Sequence, residues 1–226
     1  MKSKKWTLIL TSLTALTLMT ACGQSTTKSS TTAAADTTVI TTSAKNSQSS
    51  YFIEKDYDTS YDESTASKIE LSGSSVSVSG DGVTVSGSTV TISKAGTYVI
   101  SGQSDGVQIK IAADKSDDVK LVLKGATMTN TDAAISATSA GHVYLTLAEG
   151  TTNSLSDSSS NSDEKANAAL FSKVDLTING SGTLTVDGKK SKAIKANDTL
   201  HITGGTFNIT SVGDAFNVND ELNITG

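Results

Sequence analysis

The sequence predicts an all-β fold built as a single-stranded parallel β-helix, a β-solenoid whose coils are about 22–24 residues long. The first observation is a repeated unit: LTING at 176–180 returns as LHITG at 200–204 and as LNITG at 222–226. Each copy alternates apolar and polar residues, which is the two-residue period of a strand with one buried face. Repeats of this length cannot close a core alone, so they must stack on one another.

The second observation is that the pattern between these copies also recurs. A short strand at 183–186 returns at 206–209, and a small residue followed by an apolar one at 193–194 returns at 215–216. Three short strands in each repeat supply one coil of a parallel β-helix. A leucine-rich repeat is excluded because the chain has neither its helical segment nor its Asn-centred leucine motif.

The N-terminus reads as a targeting segment followed by a tether. Lysines precede a short apolar run that ends at Cys22, which is typical of a lipoprotein signal peptide at 1–21 with Cys22 lipidated. An ordinary secretory signal with an incidental cysteine is the alternative, and the apolar run is short for the roughly 20 residues of a membrane-spanning helix. Residues 22–68 form a predicted flexible linker that is rich in Ser and Thr at its start. The aromatic stretch 51–63 is either a docking segment or more linker.

The remaining chain divides into a predicted cap with the first coil at 69–118 and regular coils at 119–226. Apolar ladders are expected inside the coils, one of them formed by Leu121, Leu145, Leu176, Leu200 and Leu222. The polar segment 156–165 is an insertion, expected to form a loop on the binding face. Because a strand ends at Gly226 with no cap after it, we expect further coils, and the coil region is predicted to be truncated.

The charge of the chain limits its partners. The net charge is −5, with no Pro and no Arg in the sequence. Nucleic-acid phosphates require a basic footprint, so a nucleic-acid partner is excluded. The composition suits cations or neutral glycans better.

Several segments together resemble a known family. Residues 90–102, 147–151, 167–173 and 176–182 are similar to the bacterial lipoproteins called carbohydrate-binding domain-containing proteins, over about residues 69–226. The resemblance implies a right-handed parallel β-helix similar to pectate-lyase folds, bound calcium, and binding of plant-wall polysaccharides such as cellulose and polygalacturonate. One departure is Lys192 to Ile194, where the family commonly has Asp-Gly-Ile.

Stacked acidic turns predict a calcium site. Asn197 and Asp198 lie 22 residues before Asn219 and Asp220, so neighbouring coils place the two pairs about 4.8 Å apart. Carboxylates at that distance repel by roughly 1 kcal/mol in water, and calcium takes such oxygen ligands. Asp214 could add a ligand or could pair with Lys192. The alternative is an Asn ladder with solvated aspartates.

Lysines and one tyrosine are the candidate glycan contacts. Lys190, Lys192 and Lys195 cluster beside one turn, where they could engage uronate carboxylates. Tyr144 lies at an outward-facing position of its predicted strand, where it could stack on a sugar ring. A plain solvated charge cluster is the alternative.

No catalytic residue is predicted. His142 and His201 are not paired with a nucleophile, and the only Cys is in the signal segment. The predicted function is therefore calcium-assisted, non-catalytic polysaccharide binding on the outer face of the bacterial cell membrane. Two alternatives are a calcium-dependent pectate-type lyase with Lys192 or Lys195 as base, and a structural adhesin.

Overall fold

The computed structural model of the chain describes residues 36–42 and 51–225. The predicted signal peptide 1–21, the lipidation site Cys22 and much of the predicted linker lie outside these residues. Within the described residues, no helix has the length and apolar character needed to cross a bilayer.

The described elements are nineteen strands and one short helix. In chain order they are β1 (Asp36–Thr42), α1 (Glu54–Tyr57), β2 (Ser67–Gly73), β3 (Ser75–Ser79), β4 (Val83–Ser86), β5 (Thr89–Ile92), β6 (Gly96–Asp105), β7 (Gln108–Ala112), β8 (Asp118–Thr129), β9 (Ile135–Ser139), β10 (His142–Leu147), β11 (Thr152–Ser156), β12 (Ala168–Ser172), β13 (Leu176–Gly180), β14 (Thr183–Gly188), β15 (Lys192–Ala196), β16 (Leu200–Ile202), β17 (Gly205–Ser211), β18 (Phe216–Val218) and β19 (Leu222–Ile224).

The strands form two sheets. The larger has 12 strands, with the central order β1-β17-β14-β11-β8-β10-β13-β16-β19, and β6, β2 and β3 join it through β8. The smaller has 7 strands in the order β18-β15-β12-β9-β7-β5-β4. Most neighbours are parallel, but β1 with β17, β2 with β3 and β4 with β5 are antiparallel.

The predicted right-handed single-stranded parallel β-helix, the β-solenoid, is therefore wrong. The described strands make two mixed sheets in a sandwich-like arrangement. The reason lies in the long strands: β8 pairs with β10 through its first half and with β11 through its second half. Strands that the repeat assigns to separate walls are thus joined in one sheet. The repeat itself is real, because β13, β16 and β19 pair in register at Leu176, Leu200 and Leu222.

The predicted leucine ladder needs two corrections. Leu222, on the edge strand β19, is 41% exposed and not inside. The other correction is one of register. Leu145 pairs with Leu121 on one side, but with Ile178 and not Leu176 on the other, and Leu176 pairs instead with Val143. A shift of two residues keeps every apolar side chain on the same face, so the alternation in the sequence fits both registers. The observed register sets Gly180 opposite Leu147, where φ is +100° and a Cβ would collide with the Leu147 carbonyl oxygen.

The core lies between the two sheets. Residues of both sheets form one buried apolar cluster, which includes Leu121, Leu145 and Leu176 from the larger sheet and Ile111, Ile135 and Leu170 from the smaller. Inward-facing side chains thus fill the space between the sheets, and the outward-facing ones remain for polar contacts.

Residues 51–63, which we call the strap, lie across the outer face of the larger sheet. The structure thus places the aromatic stretch as a docking segment and not as flexible linker. The carboxylate of Asp56, only 1% exposed, accepts a hydrogen bond from Thr177 Oγ1 at 2.6 Å and from His201 Nδ1 at 3.1 Å. Its main-chain carbonyl accepts from Thr203 Oγ1 at 2.6 Å and from Asn179 Nδ2 at 3.1 Å.

Hydrogen bonds also fix the orientation of the sheet side chains that hold Asp56. Thr177 donates its hydroxyl proton to Asp56, so the contact of 2.8 Å with His142 Nε2 requires that nitrogen to donate. Burial opposes ionisation of Asp56, yet the hydrogen bonds from His201 and Thr177 outweigh it and hold its pKa below the ordinary 3.8. Burial also lowers the pKa of His142, which favours its neutral form.

Replacing Asp56 by Ala should lower the free energy of unfolding by about 1–3 kcal/mol at neutral pH, because buried donors of Thr177 and His201 lose their acceptor. The difference should shrink in acid. A carboxyl with a depressed folded-state pKa stabilises the fold above its unfolded value, near 3.8, and loses that contribution as the pH falls through the folded-state value. Chemical denaturation at several pH values measures both effects.

The matched control is Asp62→Ala, since the hydrogen bonds of the Asp62 side chain are made to Ser64 within the exposed part of the chain. This variant should match the wild type within about 0.5 kcal/mol. Equal stability of Asp56→Ala and wild type at neutral pH would contradict the anchoring role.

Candidate functional site

The outer face of the smaller sheet carries a depression of about 500 Å³, which we call the outer depression. Its lining combines lysines and amides with one aromatic ring and a wall from the polar insertion. These residues are Thr138, Asp163, Glu164, Lys165, Phe171, Lys173, Lys195, Asn197 and Asn219.

The outer depression is ordered by the register of β9, β12, β15 and β18. Thr138, Lys173, Asn197 and Asn219 directly follow Ala137, Ser172, Ala196 and Val218, which pair with one another across the sheet. Backbone hydrogen bonds continue that register one residue further, as from Asn197 N to the Ser172 carbonyl at 2.8 Å. Because neighbouring strands lie about 4.8 Å apart, these polar side chains form a row with that spacing.

Lys195 is the lysine with the most defined environment in the outer depression. Its Nζ donates to the Lys165 carbonyl at 2.7 Å and lies 5.9 Å from the centroid of the Phe171 ring. Burial and then the nearby charge of Lys192 lower the pKa of Lys195. The amine is thus partly desolvated, which strengthens its interaction with an anionic ligand relative to a fully solvated lysine.

The insertion 156–165 forms one wall of the outer depression and is held by buried polar groups. Asp157 Oδ1 accepts from the backbone N of Lys189 at 2.6 Å, and Oδ2 accepts from Asn161 Nδ2 at 3.1 Å. Asp157 is 2% exposed and Asn161 is fully buried. The sequence predicts a loop on the binding face, and it gives no sign that two polar residues of this loop are buried to hold it in place.

A second depression, of about 380 Å³, adjoins the first through the shared residues Thr138 and Lys173, and it is lined by Asp175 and Asp198. Burial raises the pKa of Asp198, and the carboxylates of Asp175 and Asp220 raise it further. Asp198 therefore lies within electrostatic reach of both, as the predicted stacking of Asp198 and Asp220 requires. We call Asp175, Asp198 and Asp220 the acidic turn.

The acidic turn fits calcium only in part. Carboxylate oxygens are suitable ligands, and crowded carboxylates favour a bound cation. However, no group of three or more His, Cys, Asp or Glu side chains in the described part of the chain is arranged to hold a metal ion by itself. Within the described residues, the carboxylates of the acidic turn do not by themselves make a complete ligand set.

The structure separates other predicted site residues from this region. Asp214 precedes β18 and accepts from Asn217 Nδ2 at 3.2 Å, at the opposite end of that strand from Asn219. Lys190 lies 3.7 Å from Glu164, and Lys192 donates to Ser191 Oγ at 3.2 Å. Lys190 precedes β15 and Lys192 is its first residue, so both lie at the opposite end of that strand from Asn197. Of the predicted lysines, only Lys195 lines the outer depression.

Tyr144 is not an exposed sugar platform, and that expectation is wrong. It is 3% exposed, stacks on His142 with ring centroids 4.2 Å apart, and has Lys55 Nζ at 5.1 Å from its ring centroid. The outward direction was predicted correctly, but the strap covers that face. His142 and His201 lie beneath the strap too, away from the outer depression.

Lys173 and Asp175 are the site residues that the sequence reasoning missed. The sequence repeat does contain a signal for both. The position of Lys173 is occupied by Asn197 and Asn219 in the following repeats, at spacings of 24 and 22 residues. Asp175 is followed by Asp198 and Asp220 at spacings of 23 and 22 residues. Thr138 and Phe171 had no comparable signal, because only the strand register brings them to the same face.

Comparisons with known proteins identify a family, a relative and a similar solved structure. Residues 86–226 match the family described as carbohydrate-binding domain-containing protein. A protein of that description from Acetivibrio thermocellus is 37% identical over 122 residues, which cover 51% of this chain and 43% of the relative. A solved polysaccharide lyase-like protein from C. thermocellum, studied as a gadolinium derivative, has a TM-score of 0.61 and 36% identity, covering 63% of this chain and 60% of that one. This chain thus spans less than two thirds of either relative.

Proposed function

Because the chain belongs to the carbohydrate-binding domain-containing protein family, we propose that it binds an acidic plant-wall polysaccharide such as polygalacturonate, without cleaving it, in the outer depression. Cellulose is the neutral glycan that the same family resemblance offers. The family membership supports a polysaccharide as the class of ligand, and the geometry of this chain supports the choice of surface.

The observation that carries the proposal is the row of Thr138, Lys173, Asn197 and Asn219, with Lys195 beside it. An extended glycan lying across the strands would meet a hydrogen-bonding side chain at each strand spacing. Lys173 and Lys195 would pair with carboxylates as point charges, and the amides would bind hydroxyls. A rigid sheet holds these groups in place, which reduces the entropy lost on binding.

Replacing Lys173 and Lys195 together by Ala should weaken retention on polygalacturonate by roughly a hundredfold or more, because each of the two charge-assisted hydrogen bonds contributes about 1.5–3 kcal/mol. Binding by the wild type should weaken as salt is raised, since exposed charges are screened. Affinity electrophoresis in gels containing polygalacturonate measures both effects.

Lys68→Ala is the matched control, because Lys68 is an exposed lysine on β2 in the other sheet. It should bind as the wild type does. Retention of the double variant equal to that of the wild type would overturn the choice of surface.

The same incubations test the lyase alternative, for which the lowered pKa of Lys195 is the favouring feature. Detection of unsaturated uronate products by ultraviolet absorbance would show that the protein is a lyase and would contradict non-catalytic binding.

Calcium assistance is a separate part of the proposal. We infer that the acidic turn supplies some of the oxygen ligands and that uronate oxygens complete the set, so the ion would bridge two acidic partners. The support is the raised pKa of Asp198 beside Asp175 and Asp220. Asn197 and Asn219, the other predicted ligands, border the adjoining outer depression, whereas Asp214 is not part of this proposal.

Asp198→Asn should raise the melting temperature in the presence of chelator, because it removes a carboxylate that burial and two like charges disfavour. Calcium should raise the melting temperature of the wild type by mass action and that of the variant less. Differential scanning calorimetry with chelator and with calcium tests both. If calcium changes neither the melting temperature of the wild type nor its retention on polygalacturonate, calcium does not assist binding.

We also propose that the chain is tethered to the outer face of the bacterial membrane through a lipid on Cys22. The basis is the sequence at the N-terminus alone. Cys22→Ala should release the protein from the membrane fraction into the medium. A variant that fractionates with the membrane as the wild type does would contradict lipid anchoring at this residue.

A further inference from the structure

A third depression lies on the opposite side of the molecule, between the strap and the larger sheet. Its volume is about 510 Å³, and we call it the strap cavity. The strap contributes Tyr57 and Tyr61 to its wall, and the sheet side contributes Thr146, Glu149 and Lys124. Neither tyrosine belongs to the outer depression.

The strap holds both tyrosines between anchors. Asp56 and Asp58 flank Tyr57, and the Asp58 carbonyl accepts from Asn179 Nδ2 at 3.1 Å and from Lys120 Nζ at 3.0 Å. Lys120 Nζ also donates to the Ser60 carbonyl at 2.8 Å, directly before Tyr61. A binding constellation needs this kind of support from a second layer of contacts.

Tyr57 carries an unsatisfied polar atom. Its hydroxyl is buried and has no hydrogen-bond partner in the described part of the chain. Buried polar atoms are nearly always paired, so an unpaired one calls for a functional or structural reason. Tyr57 lines the strap cavity, so a shift of its side chain on binding would bring the hydroxyl to a ligand that offers donors and acceptors.

The charges of the strap cavity favour a neutral ligand. Lys124 on the wall is already paired with Glu63 behind it, at 2.6 Å, and the wall also carries the exposed carboxylate of Glu149. Two carboxylates against one ammonium disfavour a uronate but can accept hydrogen bonds from sugar hydroxyls. Aromatic rings with a few fixed polar groups are the usual lining of small-molecule sites.

We propose that the strap cavity is a second glycan subsite, which binds a neutral pyranose unit through Tyr57 and Tyr61. This inference takes the class of ligand, a glycan, from the proposed function. It does not depend on the assignment of the acidic glycan to the outer depression. The two sheets would then present two sites of opposite preference, an acidic sugar on the smaller sheet and a neutral sugar under the strap.

Calorimetric titration of the full chain with cellohexaose, and separately with hexagalacturonate, tests this assignment. The wild type should bind cellohexaose. Tyr57→Phe should weaken that binding roughly threefold to tenfold, the effect of one lost hydrogen bond. Its melting temperature should stay equal or rise, because the deleted hydroxyl makes no contact that stabilises the fold. Tyr61→Ala should weaken cellohexaose binding by about tenfold or more.

Two controls separate the sites. Tyr51→Ala alters a tyrosine of the same strap that is 61% exposed and does not line the strap cavity, and it should bind cellohexaose as the wild type does. The variant lacking Lys173 and Lys195 should lose binding of hexagalacturonate but keep binding of cellohexaose.

If hexagalacturonate fails to bind the wild type while cellohexaose binding depends on Tyr57, the outer depression is misassigned and the assignment of the strap cavity stands. The inference is overturned if the wild type does not bind cellohexaose, or if Tyr57→Phe binds it equally. A loss of binding by Tyr57→Phe that comes with a lower melting temperature also overturns it.

Discussion

Backbone hydrogen bonds between strands of successive repeats hold this molecule together, and their register decides which side chains share a surface. In β13 and β16 the register aligns the apolar residues of each repeat in the core, and β19 continues the pairing at the sheet edge, where Leu222 and Ile224 are 41% and 43% exposed. The same register aligns the intervening polar residues outside, because successive side chains of a strand alternate between faces. The row of Lys173, Asn197 and Asn219 is thus a consequence of the packing that places Leu170 and Ile194 inside.

The strap depends on that register in turn. Thr177 and Asn179 lie on one strand and His201 on the next, and together they hold Asp56 and its neighbours. Each of these contacts replaces hydration of an outward-facing polar side chain, so the anchoring is specific to one position along the sheet. Beside this anchor the strap closes the wall of a cavity that the sheet alone does not form.

The sequence was informative wherever the signal was local and repeated. Alternation at Leu176, Leu200 and Leu222 identified strands and their parallel pairing, and the recurrence of Asp198 and Asp220 predicted neighbouring carboxylates. It failed where the outcome depended on which strands continue. The length of β8 joins strands that the repeat assigns to separate walls, which replaces the predicted solenoid by two sheets. It failed again where a distant segment covers a face, as the strap covers Tyr144.

The direct test of the account is a map of the binding surface by nuclear magnetic resonance, with hexagalacturonate added to the labelled protein. If the polar row on the smaller sheet binds the acidic glycan, the chemical shifts of the backbone amides around 136–138, 171–173, 195–197 and 217–219 should change. The amide chemical shifts of the strap residues 51–63 should stay unchanged. Shifts confined to the strap or to the larger sheet, with none in these four segments, would contradict it.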